Sequence, residues 1–355
     1  MPEIHALLTF EVAQAIDLGA VQRQAGPGSE RPGPSHRGRP STLFQYRPAP
    51  LRFSRPAAPL PLGRWQTEPA VDLVLYDFGA ASVTYRIVLD GGLAELREAS
   101  RELRRTDRLR ADARSRVETL LASLGPAVTR PRVADLSEDY TIFGLREVPG
   151  GGDAGSWCQA HATAIAGVLR PDDLALSPDE VRDATELRIS FGPYDITLVD
   201  WDAAFVLDPD PEDVREVLEF ANVQLLEMRW LDQELDLAIE RSYRLLGRRR
   251  RLPMVTAGSA ADLREVATLQ LESAILLERV TNSLKVFGEE YLARIYRLAA
   301  RRFRLPDLDA AITRKLGTIE SIYQKLHDRA ATVRLELLEW VVIVLIALEI
   351  VLGLT

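Results

Sequence analysis

The front of the chain is written in short apolar runs separated by turn residues, and the back in long stretches with helical spacing. Residues 4–13, with Ala6-Leu7-Leu8-Thr9-Phe10 at their centre, predict a first strand. Residues 24–40 turn to Gly, Pro, Ser and Arg, a composition that predicts a flexible, disordered loop. Pro-broken strand-like pieces follow at 43–53. Two β-rich runs, 71–79 and 81–89, meet at a glycine and predict paired strands ended by Asp90-Gly91-Gly92. In 93–124 the apolar residues Leu93, Leu96, Leu103, Val117, Leu120 and Leu121 stand amid many charges, the mark of a helix with one solvated face. Residues 140–148 predict a strand and 157–169 a helix; 187–191 and 195–207 predict strands split by Gly192-Pro193.

After Pro211 the period changes. Residues 212–246 predict one long amphipathic helix, 247–253 a turn and 260–304 a second helix; Pro306 suits the first turn of a third. The fold class expected is α+β: a mixed α/β part over 1–209, a long-helix hairpin region over 210–334, and a closing transmembrane helix over 335–355.

That closing segment holds an uninterrupted apolar core, 340–348, which is shorter than the ~20 residues of a span. A dozen Val, Ile and Leu at roughly −0.3 to −0.6 kcal/mol each nevertheless outweigh one Glu at roughly +3. The expected membrane-anchor residues are Glu339, Trp340 and Glu349, with Trp340 at the interface and Arg329 and Arg334 holding the body in the cytoplasm. The competing pattern, a buried coiled-coil helix, needs only an apolar stripe.

A net charge of −8 disfavours a general nucleic-acid binder. Lysine is confined to Lys285, Lys315 and Lys325, so arginine carries the positive charge. The single cysteine, Cys158, excludes an intramolecular disulfide. Residues 1–12 lack the basic region and long apolar run of a signal peptide.

Few motifs suggest chemistry. Cys158 and His161 have C-x-x-H spacing, but a structural metal site needs two more ligands and His5, His36 and His327 are scattered. Gly150-Gly151-Gly152-Asp153-Ala154-Gly155 lacks the Gly-Lys-Ser/Thr of a phosphate loop. Asp195, Asp200 and Asp202 flank Trp201; as a strand, Asp200 and Asp202 would share one face, either solvated or paired for acid–base work. In the first long helix Arg229 has Asp232 and Asp236 at helical spacing. Arg248, Arg249, Arg250 and Arg251 form a basic run at a turn, a candidate contact for anionic lipid or phosphate. No catalytic, cofactor-binding or metal residue is assigned.

Several segments resemble the domain-of-unknown-function family of the "required for meiotic nuclear division" and bacterial YagE-type proteins. The sharpest is Leu338-Glu339-Trp340-Val341-Val342-Ile343-Val344-Leu345-Ile346-Ala347-Leu348-Glu349-Ile350, which looks like that family's closing helix. Residues 291–298, Phe303-Arg304-Leu305, Phe78-Gly79-Ala80-Ala81-Ser82-Val83, Ile4-His5-Ala6 and Ile16-Asp17-Leu18 also resemble it. The resemblance implies an integral membrane protein that forms homo-oligomers, with no established catalysis.

The function expected is a membrane-anchored, oligomeric, non-enzymatic scaffold or binding protein at the inner membrane, with a single C-terminal pass and its body in the cytoplasm. Its partners would be membrane lipid, copies of itself and an unidentified protein, with no cofactor. The alternative is a hydrolase or nucleotide-binding enzyme using the acidic residues around Asp200. A weaker reading, an RNA-associated protein, would use the arginines of 39–64 with Phe44, Tyr46 and Phe53, together with the 248–251 run.

Overall fold

The computed structural model describes residues 1–25, 49–248, 267–268, 271 and 290–353. The chain forms two compact units, Met1–Trp230 with Arg279–Pro306, and Leu231–Glu278 with Asp307–Thr355.

The first unit is built on β1 (Glu3–Glu11), whose nine residues are all buried. After it come β2 (Ala15–Ile16), α1 (Leu18–Ala25), β3 (Leu51–Pro56), the short β4 (Pro61–Leu62) and β5 (Trp65–Gln66), β6 (Ala70–Leu75) and β7 (Ala80–Val88). The expected single helix over 93–124 is two, α2 (Leu93–Arg105) and α3 (Arg108–Leu124), because Thr106 adopts extended backbone at the break. Then follow β8 (Val128–Thr129), β9 (Ser137–Leu145), α4 (Ala154–Ala160), α5 (Ala162–Leu169), α6 (Pro178–Glu186), β10 (Arg188–Ile189), β11 (Ile196–Val199) and β12 (Ala203–Leu207). Helices α7 (Glu212–Arg248), α8 (Glu290–Arg302) and α9 (Leu305–Gly353) complete the described elements.

Eight strands form one sheet in the order β10-β11-β12-β9-β1-β7-β6-β3. Every pairing is antiparallel except that of β12 with β9. Period-two alternation sorts the side chains. Ile4, Ala6, Leu8 and Phe10 oppose Ile87, Tyr85, Val83 and Ala81, and this face is covered by helices. Leu109, Ala113, Val117 and Leu121 of α3 cover one half; Leu96, Cys158, Ile165 and Val168 cover the other, over Phe143 and Phe205. Each of these fully buried phenylalanines contributes roughly 1.5–3 kcal/mol. The opposite face carries Glu3, His5, Leu7, Thr9 and Glu11, and α7 lies against it: Arg215 reaches His5 and Asn222 reaches Thr9.

The turn from β6 to β7 depends on one glycine. Gly79 has φ +109°, and a Cβ there would sit 1.8 Å from the carbonyl oxygen of Ala13. Its own carbonyl accepts from the amides of Val12 and Ala13, which ties the turn to the end of β1.

In the second unit, Leu231, Leu235 and Ala238 of α7 and Ile312, Ile319 and Ile322 of α9 are buried. The ammonium of Lys315 bridges Asp232 at 2.6 Å and Asp236 at 2.7 Å. Farther along α9, residues 340–346 are all exposed.

The membrane expectation is corrected here. Among the described residues no helix is long and apolar enough to cross a membrane. The apolar run 340–348 is bounded by Glu339 and Glu349. Nine residues rise only ~13 Å as a helix, against the ~30 Å of a hydrocarbon core. The transmembrane ending of the fold, the tail-anchored single-pass topology, the cytoplasm-facing body at the inner membrane and the anchor roles of Glu339, Trp340 and Glu349 fall with it. The loop expected at 24–40 lies, from residue 26 on, outside the described residues, as do Arg249, Arg250 and Arg251. Arg248 ends α7.

Candidate functional site

The expected strand 195–207 is a hairpin, with Asp200, Trp201 and Asp202 in the turn between β11 and β12. The two acids therefore do not share a strand face. Asp200 is 2% exposed and Asp202 is exposed.

Around Asp200 the structure gathers groups from four distant parts of the chain. Arg170, at the end of α5, donates from Nε to Asp200 Oδ2 at 2.6 Å and from Nη2 to Oδ1 at 2.9 Å. Arg302, at the end of α8, donates from Nε to Asp200 Oδ1 at 2.9 Å. The same two guanidiniums grip Asp183 of α6, Arg302 at 2.8 Å, and Arg170 also pairs with Glu180. Hydrogen bonds from Arg302 and Arg170 pull the Asp183 carboxyl down to about 2. The Trp201 ring lies under Arg302 at 5.2 Å and under Arg304 at 5.5 Å. Beside this cluster is a cavity of about 260 Å³ lined by Arg104, Arg170, Glu180, Asp200, Trp201 and Asp202.

An adjoining cleft of about 430 Å³ lies over Ala6, Leu8 and Thr141 of the sheet. Its charges are paired across it: Arg104 with Asp202 at 3.1 Å, Arg110 with Asp139 at 2.8 Å, and Arg229 with Glu138 at 2.7 Å. Arg229 thus reaches across to Glu138 of β9, while the helix neighbours Asp232 and Asp236 that spacing suggested pair with Lys315.

The third acid, Asp195, does different work. It accepts from the amides of Phe191 and Gly192 at 2.7 and 2.6 Å and from the Tyr291 hydroxyl at 2.9 Å, which pins the loop before β11. Its position and that of Asp200 are fixed by separate partners.

A second polar set is buried between the sheet and α7. Burial works against the charged form of Glu3, yet the hydrogen bond from His5 and the charges of His5, Arg146 and Arg86 bring its carboxyl to about 2. At the other end of β1, Glu11 faces Glu227 of α7, and each has one buried carboxyl oxygen without a hydrogen-bond partner among the described residues. Burial and the Glu227 charge push Glu11 well up, and burial takes Glu227 to about 7. The pair therefore shares a proton.

The remaining motifs resolve into local structure. Burial pushes the Cys158 thiol up to about 12, and the His161 ring stacks on Trp157 at 4.4 Å with Nδ1 donating to the Trp157 carbonyl. Gly150, Gly151 and Gly152 all have positive φ, and the Asp153 carboxylate then accepts from the Ser156 amide at 2.7 Å to cap α4. Among the described residues no group of three or more His, Cys, Asp or Glu could hold a metal ion.

Sequence reading missed Arg170, Asp183 and Arg302, because they come together only through the packing of α5, α6 and α8. The meeting of Glu11 with Glu227 was hidden for a similar reason, although Glu11 was visible as a charge within the apolar run 4–13. The arrangement around Asp200 neutralises and locks charges. It offers no nucleophile, and its bases are carboxylates held by guanidiniums that stay protonated.

Fold and site define a class: a mixed α/β protein whose large sheet is buttressed by arginine–carboxylate clusters. More narrowly, the chain belongs to the family described as "Uncharacterized protein MJ0711, N-terminal domain", whose model matches residues 1–213. It is similar to the Uncharacterized protein MJ0711 of Methanocaldococcus jannaschii, at 24% identity over 220 residues, which cover 61% of this chain and 66% of that relative. No solved structure matches. The resemblance to the "required for meiotic nuclear division" and YagE-type family is corrected by this match. Its sharpest stretch, the apolar end of α9, lies outside the matched residues, and a run of Val, Ile and Leu is a pattern that unrelated helices share.

Proposed function

We propose that the protein is a non-catalytic binding scaffold that assembles with copies of itself through the end of α9. The observation that carries this reading is the exposure of residues 340–346, each large and apolar and each 45–67% exposed. Together they present on the order of several hundred Å², comparable with the ~800 Å² per partner of a stable interface. Monomers rarely leave a contiguous apolar patch of that kind in water.

The occupant is a second copy, argued from the repeat. Leu337, Trp340, Val344, Ala347 and Val351 recur at alternating spacings of three and four, a coiled-coil seam that is its own complement. Trp340 and Val344, at 67% and 60%, are the most exposed of the run. Glu339 and Glu349 fall between seam positions. The non-catalytic half of the reading is supported by Asp200, whose two oxygens are both taken by guanidiniums.

Size-exclusion chromatography with light scattering on the full chain tests this. The expected mass is two or more chains at micromolar concentration, falling to one chain in Trp340→Ser with Val344→Asp. A single-chain mass for the unaltered protein, or an assembly that the double variant leaves intact, overturns it.

A further inference from the structure

We infer that the surface formed by Phe191, Tyr194 and Tyr291, bordered by Asp195, Asp208 and Asp210, docks a basic segment of a partner polypeptide. This surface belongs to the sheet-containing unit, and the inference stands independently of self-association through α9.

Phe191 is 80% exposed and Tyr194 65% exposed, although both lie in a loop that is held firmly. Asp195 clamps that loop through two backbone amides, and the Pro193 carbonyl accepts from the Ala154 amide at 2.7 Å. The Phe191 ring lies 5.3 Å from that of Tyr291, whose hydroxyl donates to Asp195. Aromatic side chains presented on a fixed loop lose little further freedom on binding, and Tyr is enriched among residues that dominate interface energy.

Charge decides the partner. Asp195 and Asp208 directly flank the paired strand residues Ile196 and Leu207, and the Asp208 carboxylate accepts from the Asp210 amide at 2.8 Å. The three acids are thus gathered at the open end of the β11–β12 hairpin, where Asp195 also accepts from the Tyr291 hydroxyl. Among the described residues none of the three forms an ion pair with an Arg or Lys, whereas the acids of the cleft and of the Asp200 cluster are matched by arginines. A phosphate backbone would be repelled here. A guanidinium or ammonium would find both a π face and carboxylates that no described Arg or Lys neutralises, the combination that favours Arg most.

The test is fluorescence anisotropy of a labelled decapeptide of alternating arginine and glycine titrated with the full chain, beside a glutamate–glycine control. The expected result is binding of the arginine peptide alone, weakened at least tenfold by Phe191→Ser with Tyr194→Ser and by Asp208→Asn with Asp210→Asn. Both rings are largely solvent-exposed, so the first variant keeps its fold, which circular dichroism checks. Tyr291→Phe retains the ring and is expected to retain most of the binding. Absence of binding by the unaltered chain overturns the inference. So does binding that survives both double variants, since the overall acidity would then be the attractant.

Discussion

At the scale of single residues the decisive fact is which carboxylates are spoken for. Asp200 and Asp202 stand two apart in sequence, yet one is an ion-pair hub and the other a surface partner of Arg104. Asp200→Asn would leave Arg170 and Arg302 short of their shared acceptor, so it is expected to destabilise the protein by about 3–5 kcal/mol. Asp202→Asn, at an exposed pair, is expected to cost less than about 1 kcal/mol. Urea titration of both variants checks the contrast; equal effects would mean that the cluster is not a structural lock. The proton shared by Glu11 and Glu227 has a signature in pH. An unfolded glutamate titrates near its ordinary 4.5, and Glu227 in the folded chain near about 7. The folded state holds the extra proton between these values, so this contribution is complete below pH 4.5 and is lost as the pH rises through about 7. Glu11, raised as well, extends the loss in the same direction. Glu3 works oppositely: its contribution is present above 4.5 and lost as the pH falls towards about 2. Glu227→Gln is therefore expected to flatten the decline between pH 5 and 8 and to stabilise the chain at pH 8 by about 1–3 kcal/mol. Denaturant midpoints at the two pH values decide it; an unaltered protein equally stable at both contradicts the shared proton.

At the scale of elements, sequence and structure agree where one period dominates a run. The apolar, β-leaning run of β1 was legible from its composition, and the paired runs around Gly79 from the glycine between them and Asp90-Gly91-Gly92 after them. The breaks were not. The helix expected over 93–124 parts at Thr106 and the strand expected over 195–207 folds back at Trp201, because no Gly or Pro marks either point. The pairing of Arg170 and Arg302 with Asp200 was illegible for another reason: the contacts span 30 and 102 residues, and only tertiary packing sets them. Gly79 gives an element-scale prediction. With φ +109° and no room for a Cβ beside Ala13, Gly79→Ala is expected to cost more than about 2 kcal/mol by displacing the turn from the end of β1. Gly92, in whose vicinity nothing crowds a Cβ, serves as the comparison, with Gly92→Ala expected to cost less. Thermal melts of the two variants measure the difference, and similar melting points would refute the close approach.

At the scale of the whole molecule, the family match ends at residue 213, near where α7 begins. The eight-stranded sheet, which ends at Leu207, thus lies wholly within the part that this chain shares with its family, and the end of α9 is where the self-association proposed above would reside. Cysteine chemistry tests that claim most directly, because the chain's single cysteine, Cys158, is buried with its thiol pushed up to about 12 and offers little background reactivity. A Val344→Cys chain under mild oxidation is expected to form a disulfide-linked dimer rapidly, while Thr313→Cys, exposed on the same helix, does so slowly. Crosslinking of Val344→Cys no faster than that of Thr313→Cys would contradict self-association through this helix.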